Sequence, residues 1–358
     1  MKYRNTGLTK HINVFPYKNI SILLSILCFF SVYLSAFSIS TYDFRLPTSS
    51  SSPIEAALGG INVTSANDYY LVFSNPALIR HLKQSNFSLS YGFVPEDYDE
   101  FEHILRTAPS QKDNYYRGMA FQAKQIGLGH QVLASDKYTL IDSLAARKIY
   151  QNYRLESIAA GISDSVGFFN YGFTGKFIFG RMVYFSEYNP SLLRDDTEPI
   201  DMENYFIDST SYGYSFDLGL NARSRFISTG VVFYDVYSMI DWKGQTNGKI
   251  KPRLGMGTEM FGKNFSYGIA TNSKAIWKQD PFYSLFTTYK YTVKNQDMLH
   301  TTTVRFSMTS KTFHDQDKIF FNFGFGYFYK IVRLDAALQS KGWKANETQY
   351  LISLSLGE

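Results

Sequence analysis

Six histidines, at positions 11, 81, 103, 130, 300 and 314, are the residues best suited to acid–base or metal chemistry, and they are scattered along the chain. No His-Glu-x-x-His pair sets two ligands on one helical face, and the single cysteine, Cys28, has no second thiol to bind metal or close a disulfide with. Gly161-Ile-Ser163-Asp-Ser165 approaches a nucleophile elbow but ends in Ser where Gly is needed, and no strand-to-helix turn surrounds it. His130 and His300 lie near strand candidates, so a hydrolase built on either is carried as an alternative. The pairs Gly127-x-Gly129, Gly255-x-Gly257 and Gly324-x-Gly326 lack a third glycine and fall on strands, where glycine relieves curvature or crowding. No catalytic residue, metal ligand or cofactor is assigned, and the chain reads as non-enzymatic.

The elements that would hold any such residue are strands. From Ser211 to Asn221 large apolar side chains alternate without a break with small or polar ones: Tyr212, Tyr214, Phe216, Leu218 and Leu220 share one face. Phe321, Phe323, Phe325, Tyr327 and Tyr329 form a second such row, Phe265, Tyr267 and Ile269 a third, and Tyr350, Ile352, Leu354 and Leu356 a fourth. With 28 Tyr and 31 Phe in 358 residues, the aromatic rows exceed what one soluble core would bury. Strands with an apolar outer face and a polar inner face satisfy a bilayer only when the sheet closes. The expected fold is therefore all-β, a closed antiparallel transmembrane β-barrel of about 14 strands.

Fourteen candidates run near 86–93, 117–124, 126–134, 153–163, 167–186, 211–222, 226–235, 251–261, 264–272, 281–292, 298–309, 317–329, 331–340 and 347–357. The connections between them alternate long and short, as external loops and periplasmic turns do in outer-membrane barrels. The polar face should carry Asp217, Arg253, Glu259, Arg305, Arg333 and Asp335 into the lumen, where they can pair across it. The longest loops are acidic, with Glu96, Asp97, Asp99, Glu100 and Glu102 in one and Glu187, Asp195, Asp196, Glu198, Asp201, Glu203 and Asp208 in another; a solvated surface accounts for them, with a divalent-cation or partner-binding surface as the alternative.

Residues 1–38 read as a secretory signal peptide: a basic start, an apolar core from Ile20 to Leu34, and small residues that place cleavage after Ala36 or Ser38. Lys2, Arg4, Lys10 and Lys18 supply four of the five net positive charges, so no basic stripe remains and nucleic acid is excluded. Residues 39–85 divide into a Ser-rich extended leader to Pro53 and a stretch from Ile54 that lacks sustained alternation and is punctuated by Gly59-Gly60 and Asn75-Pro76, which predicts a compact, short-helical segment outside the wall. Residues 86–358 form the barrel. Outer-membrane lipid is the expected surrounding partner, and the outer membrane of a Gram-negative-type bacterium the expected location.

The order Ile54-Glu-Ala-Ala-Leu-Gly-Gly-Ile-Asn-Val, then Asp68, then Phe73-Ser-Asn-Pro-Ala-Leu78 resembles the N-terminal segment of FadL-like outer-membrane barrels, most closely the PorV/PorQ-type barrels associated with type IX secretion. Ser215–Leu220, Gly230–Asp235 and Lys251–Gly255 look like wall strands of the same group. The resemblance covers about a third of the chain. It implies a hatch in the lumen that includes Gly59, Gly60, Asp68, Asn75, Pro76, Ala77 and Leu78. It also implies a non-enzymatic accessory of protein secretion or surface attachment, with secretion-system proteins as partners. The alternative it leaves is a FadL-like channel for uptake of a hydrophobic small-molecule ligand. Leu78 stands where fatty-acid transporters usually have Gly, and the chain ends Leu356-Gly-Glu358 without a terminal aromatic.

Overall fold

Alternation decides the architecture, because each strand has one face that only lipid or another apolar surface can cover. The computed structural model describes residues 37–39, 51–82, 85–93, 116–142, 147–189, 203–244, 248–250, 252–273, 282–295, 298–313, 316–341 and 348–357. Its wall strands are β1 (Asn86–Phe93), β2 (Tyr116–Ala123), β3 (Ile126–Asp142), β4 (Arg147–Val166), β5 (Phe169–Tyr188), β6 (Tyr205–Arg223) and β7 (Ile227–Trp242). They continue as β8 (Arg253–Phe261), β9 (Phe265–Ser273), β10 (Phe282–Asn295), β11 (Met298–Phe313), β12 (Gln316–Tyr329), β13 (Val332–Lys341) and β14 (Thr348–Gly357).

Each wall strand pairs antiparallel with its sequence neighbour, and β14 returns to β1 with Leu354 opposite Leu89, which closes the ring. The result is a closed antiparallel barrel of fourteen strands. Every backbone group in a closed ladder has a partner, so no edge is left in the apolar phase. The alternation expected of β6 is present: Tyr212 and Leu220 are 62% and 52% exposed on the outside, whereas Ser211, Ser215, Asp217 and Asn221 are buried inside. The same split holds on β12, with Phe323 and Phe325 outward and Asn322 and Gly324 inward.

Strand β5 has the 20 residues expected of it, whereas β3, β4, β6 and β7 run to 16–20 residues, longer than alternation alone indicated. Their extra residues continue the ladder toward the long loops, where Glu187 and Asp208 become strand residues and not loop residues. A three-residue segment, Gly248–Ile250, sits after β7; its Gly248 pairs with Ile240 and it lies parallel to Phe37–Ile39. The signal-peptide reading otherwise falls outside the described residues, as do Cys28, the acidic residues from Glu96 to Glu102 and those from Asp195 to Asp201.

The interior is occupied by residues 51–82. Helix α1 (Pro53–Ala57) begins at Ser52, whose hydroxyl accepts from the N–H groups of Ile54 and Glu55 at 3.1 and 3.2 Å. Helix α2 (Leu71–Ser74) and a 3₁₀ turn (Pro76–His81) follow, and Ile54, Leu58, Ile61, Leu71, Leu78 and Ile79 are nearly free of solvent.

Candidate functional site in the barrel lumen

A short helix inside a pore must find partners for its last carbonyls, because water cannot reach them. Here the wall supplies them. Gln339 on β13 donates to the Ala56 carbonyl at 2.9 Å, Ser307 on β11 to Ala57 at 2.8 Å, and Ser284 on β10 to Leu58 at 2.7 Å. On the other side of the ring Thr174 on β5 donates to Val72 at 3.0 Å, and Tyr234 on β7 to Ser74 at 2.6 Å. The segment is thus hydrogen-bonded to strands around the barrel.

Its internal order comes from the residues singled out in the sequence. Gly59 and Gly60 adopt φ of 91° and 83°, the left-handed region, and a side chain at Gly59 would strike Ser284 and Thr309. Asp68 joins three parts of the segment: its carboxylate accepts from the Ser52 hydroxyl at 2.7 Å, the Asn62 amide at 3.2 Å and the Tyr70 N–H at 3.0 Å. Burial pushes the Asp68 carboxyl above its ordinary range, while those three donors and the charge of Arg333 pull the other way. Asn75 is extended, as the residue before a proline must be, and its side chain donates to Val63 O at 2.7 Å and accepts from Ala77 N–H at 3.0 Å. Pro76 opens the 3₁₀ turn, and Ala77 and Leu78 are fully buried.

Wall glycines mark where this segment touches the barrel. A side chain on Gly172 would collide with Pro76 and Ala77, one on Gly219 with Asn75, and one on Gly230 with the Val63 carbonyl. Of the paired glycines read from the sequence, Gly127 faces Val72 and Ile79, Gly257 faces Val63 and Gly324 faces Ala57, whereas Gly326 makes room for Asp335 and Arg305 of the wall.

All six expected lumen charges point inward, but they pair along the wall and not across the lumen. Arg305 meets Asp335 at 3.2 Å, and Arg333 bonds the same carboxylate while its guanidinium lies 5.1 Å over the Tyr69 ring. Glu259 accepts from Ser266 at 2.7 Å and from Thr64 at 3.3 Å. Asp217 and Arg253 belong to a buried quartet completed by Lys176 and Asp235, which sequence reasoning did not single out. The Lys176 ammonium lies 2.7 Å from Asp217 and 2.9 Å from Asp235, and Arg253 lies 3.2 Å from Asp235.

Lys176 was legible, since Phe173 and Phe177 on the same strand face outward. Asp235 was not. Between β6 and β7 the register shifts so that Tyr234, Asp235 and Val236 oppose Asp217 alone, and Asp235 turns inward at φ 53°.

The interior is layered. On the loop side of the quartet, Leu133, Leu155, Ile178, Ile240, Trp242 and Ile250 form an apolar cluster to which residues 51–82 contribute nothing. Ile250 reaches it because Gly248–Ile250 pairs antiparallel with β7, Gly248 opposite Ile240, and the Ile250 N–H donates to the Ser238 hydroxyl at 2.9 Å. On the other side of the quartet lies the lumenal segment with its own apolar clusters.

The serine and the two histidines considered for a hydrolase lie on opposite faces of the wall. Ser163 is buried facing the interior, whereas His130 shares the outer register of Ile126 and Leu128 and partners Tyr116 at 2.8 Å and Glu156 at 2.7 Å. His300 is also on the outside, 2.8 Å from the Tyr327 hydroxyl.

Solved structures match over most of the chain, and two of them illustrate the shared fold. One, the CymD monoaromatic hydrocarbon channel, is 10% identical with a TM-score of 0.51, over 88% of this chain and 98% of that one. The other, the toluene transporter TodX of P. putida, is 13% identical with a TM-score of 0.52, over 88% and 99%. The chain shares the fold of these channels. No family model and no curated protein matches the sequence. What the likeness shows is a shared barrel fold. The secretion-accessory reading drawn from the PorV/PorQ-type likeness is overturned, because the structures that share this barrel are named as transporters and channels for hydrocarbons.

Proposed function

We propose that this barrel is a non-enzymatic channel for hydrophobic small molecules in the outer membrane of a Gram-negative-type bacterium. The observation that carries the reading is the apolar layer of Leu133, Leu155, Ile178, Ile240, Trp242 and Ile250, set inside the barrel toward the long loops. A polar porin gains nothing from such a layer, whereas an apolar ligand leaving water gains about 25 cal/mol for each Å² it buries there. The likeness in fold to hydrocarbon channels supports the same cargo class.

In this reading residues 51–82 act as the hatch, with Gly59, Gly60, Asp68, Asn75, Pro76, Ala77 and Leu78 setting its shape. Asp217, Arg253, Glu259, Arg305, Arg333 and Asp335 hold the wall around it. The ligand enters from the loop side, rests against the apolar layer, and leaves beside Asn75–Ala77. There Tyr234 bonds Ser74, close to the break in the β6–β7 ladder.

The test is uptake of radiolabelled toluene by cells expressing the full chain against cells carrying an empty vector. Faster uptake is expected, reduced in Ile178→Asp and Ile240→Asp variants that still fold. Equal uptake with and without the protein, across a panel of monoaromatic hydrocarbons, would sink the proposal.

A further inference from the structure

Four of the six short turns of the barrel share a feature that the channel reading does not use. Those joining β2 to β3, β6 to β7, β8 to β9 and β12 to β13 contain Lys124, Arg225, Lys263 and Lys330; the turn Gly167-Phe168 between β4 and β5 is uncharged, and the sequence between β10 and β11 has one acid, Asp297, outside the described residues. None of the four cations has a carboxylate partner among the described residues. The outer wall toward the long loops differs, since Arg154 is bonded to Glu156 and Arg181 to Asp208.

The cations sit beside exposed apolar side chains. Phe226 is 66% exposed, Phe265 57% and Ile331 52%. The Arg225 guanidinium lies 5.4 Å over the Phe226 ring, and the Lys330 ammonium 5.3 Å over Tyr329. An aromatic ring seated at the edge of an apolar band, with an unneutralised cation held on it, is suited to the boundary between acyl chains and headgroups. Turns recur at every second strand, so these charges stand about 10 Å apart or multiples of it, strands being spaced by about 4.8 Å.

We propose that the short-turn rim is a docking surface for phospholipid phosphates of the leaflet it faces, with Arg225, Lys263 and Lys330 as the principal contacts. The arrangement has two parts that belong together: cations without protein counter-charges, and rings that fix their depth. A phosphate-bearing headgroup satisfies both, because its acyl chains cover Phe226, Phe265 and Ile331 while its phosphate meets the cation. The proposal rests on the barrel residing in a membrane and is independent of its cargo.

The full-length protein is placed in nanodiscs of phosphatidylethanolamine and phosphatidylglycerol, and retained phosphatidylglycerol is counted by native mass spectrometry. Each cation near an anionic surface contributes about fivefold, so the triple variant R225Q/K263Q/K330Q should lose retention on the order of a hundredfold. Lys148→Gln, at the opposite rim, should retain the lipid as the wild type does. Retention by the unmodified protein should fall as salt rises from about 0.05 to about 0.5 M, since screening shortens the reach of surface charge. Equal retention by the triple variant, or insensitivity of the wild type to salt, overturns the proposal. Displacement by inorganic phosphate alone overturns it too, because a bare anion site would then explain the binding. Heat-modifiable mobility of the inserted protein checks the membrane barrel itself, so a failure there is distinguishable.

Discussion

The backbone N–H of Asp235 donates to Oδ1 of Asp217 at 2.8 Å, across the one place where β6 and β7 lose their register. The two carboxylates also share one cation, since the Lys176 ammonium lies within 3 Å of an oxygen of each. The quartet thus closes a defect in the wall with charge, at the level where the apolar layer gives way to the lumenal segment.

Removing one member of a buried ion network leaves the others uncompensated. Lys176→Met should therefore cost about 3–5 kcal/mol, read as a lower urea midpoint in detergent. Adding Asp217→Asn should restore most of it, because Arg253 and Asp235 then remain as a neutral pair. An unchanged midpoint in the single variant would show that the quartet does not hold the wall.

Gly59 is constrained twice, by its left-handed backbone and by its approach to Ser284 and Thr309. Gly59→Ala should weaken seating of residues 51–82 by about 1–3 kcal/mol, since an alanine there is strained as well as crowded. Limited proteolysis in detergent measures this as faster cleavage between residues 51 and 82 with the barrel intact. Cleavage at the wild-type rate would contradict the packing.

Because burial raises the Asp68 carboxyl above its ordinary range, the docked segment holds that proton more tightly than a released segment does. The sign follows: this contribution is full below the ordinary carboxylate pKa and is lost as pH rises through the raised value. Protease protection of residues 51–82 should be greater at about pH 4 than at about pH 8, the ordinary Asp value being about 3.9. Asp68→Asn should flatten the profile. A wild-type profile that rises toward alkaline pH would reverse the assignment.

If residues 51–82 act as a hatch, deleting Pro53 to Arg80 should raise single-channel conductance in planar bilayers. The full chain should conduct little, because its interior is filled. Identical conductance of the two would show that something else blocks the pore.

Much of this was open to a reader of the sequence. Alternation of Tyr and Phe with Ser, Gly and Asn placed fourteen strands, since a wall between lipid and a polar interior imposes a period of two on every strand. The same parity sent Asp217, Arg253, Glu259, Arg305, Arg333 and Asp335 inward, and the punctuation at Gly59-Gly60 and Asn75-Pro76 set residues 54–85 apart from the wall.

Tertiary structure decided what parity cannot express. Asp235 faces inward only because the β6–β7 ladder slips, and a slip is set by pairing between strands and not by either strand alone. Ile250 joins Leu155, Ile178 and Ile240 only because a loop segment folds back along β7. The apolar layer that supports a hydrophobic cargo is thus assembled from residues up to 117 positions apart, Leu133 to Ile250, by closure of the sheet. The chain's own pattern fixed which side of each strand meets lipid; only the closed ring could determine which inward side chains meet one another, because that depends on register and on where the loops return.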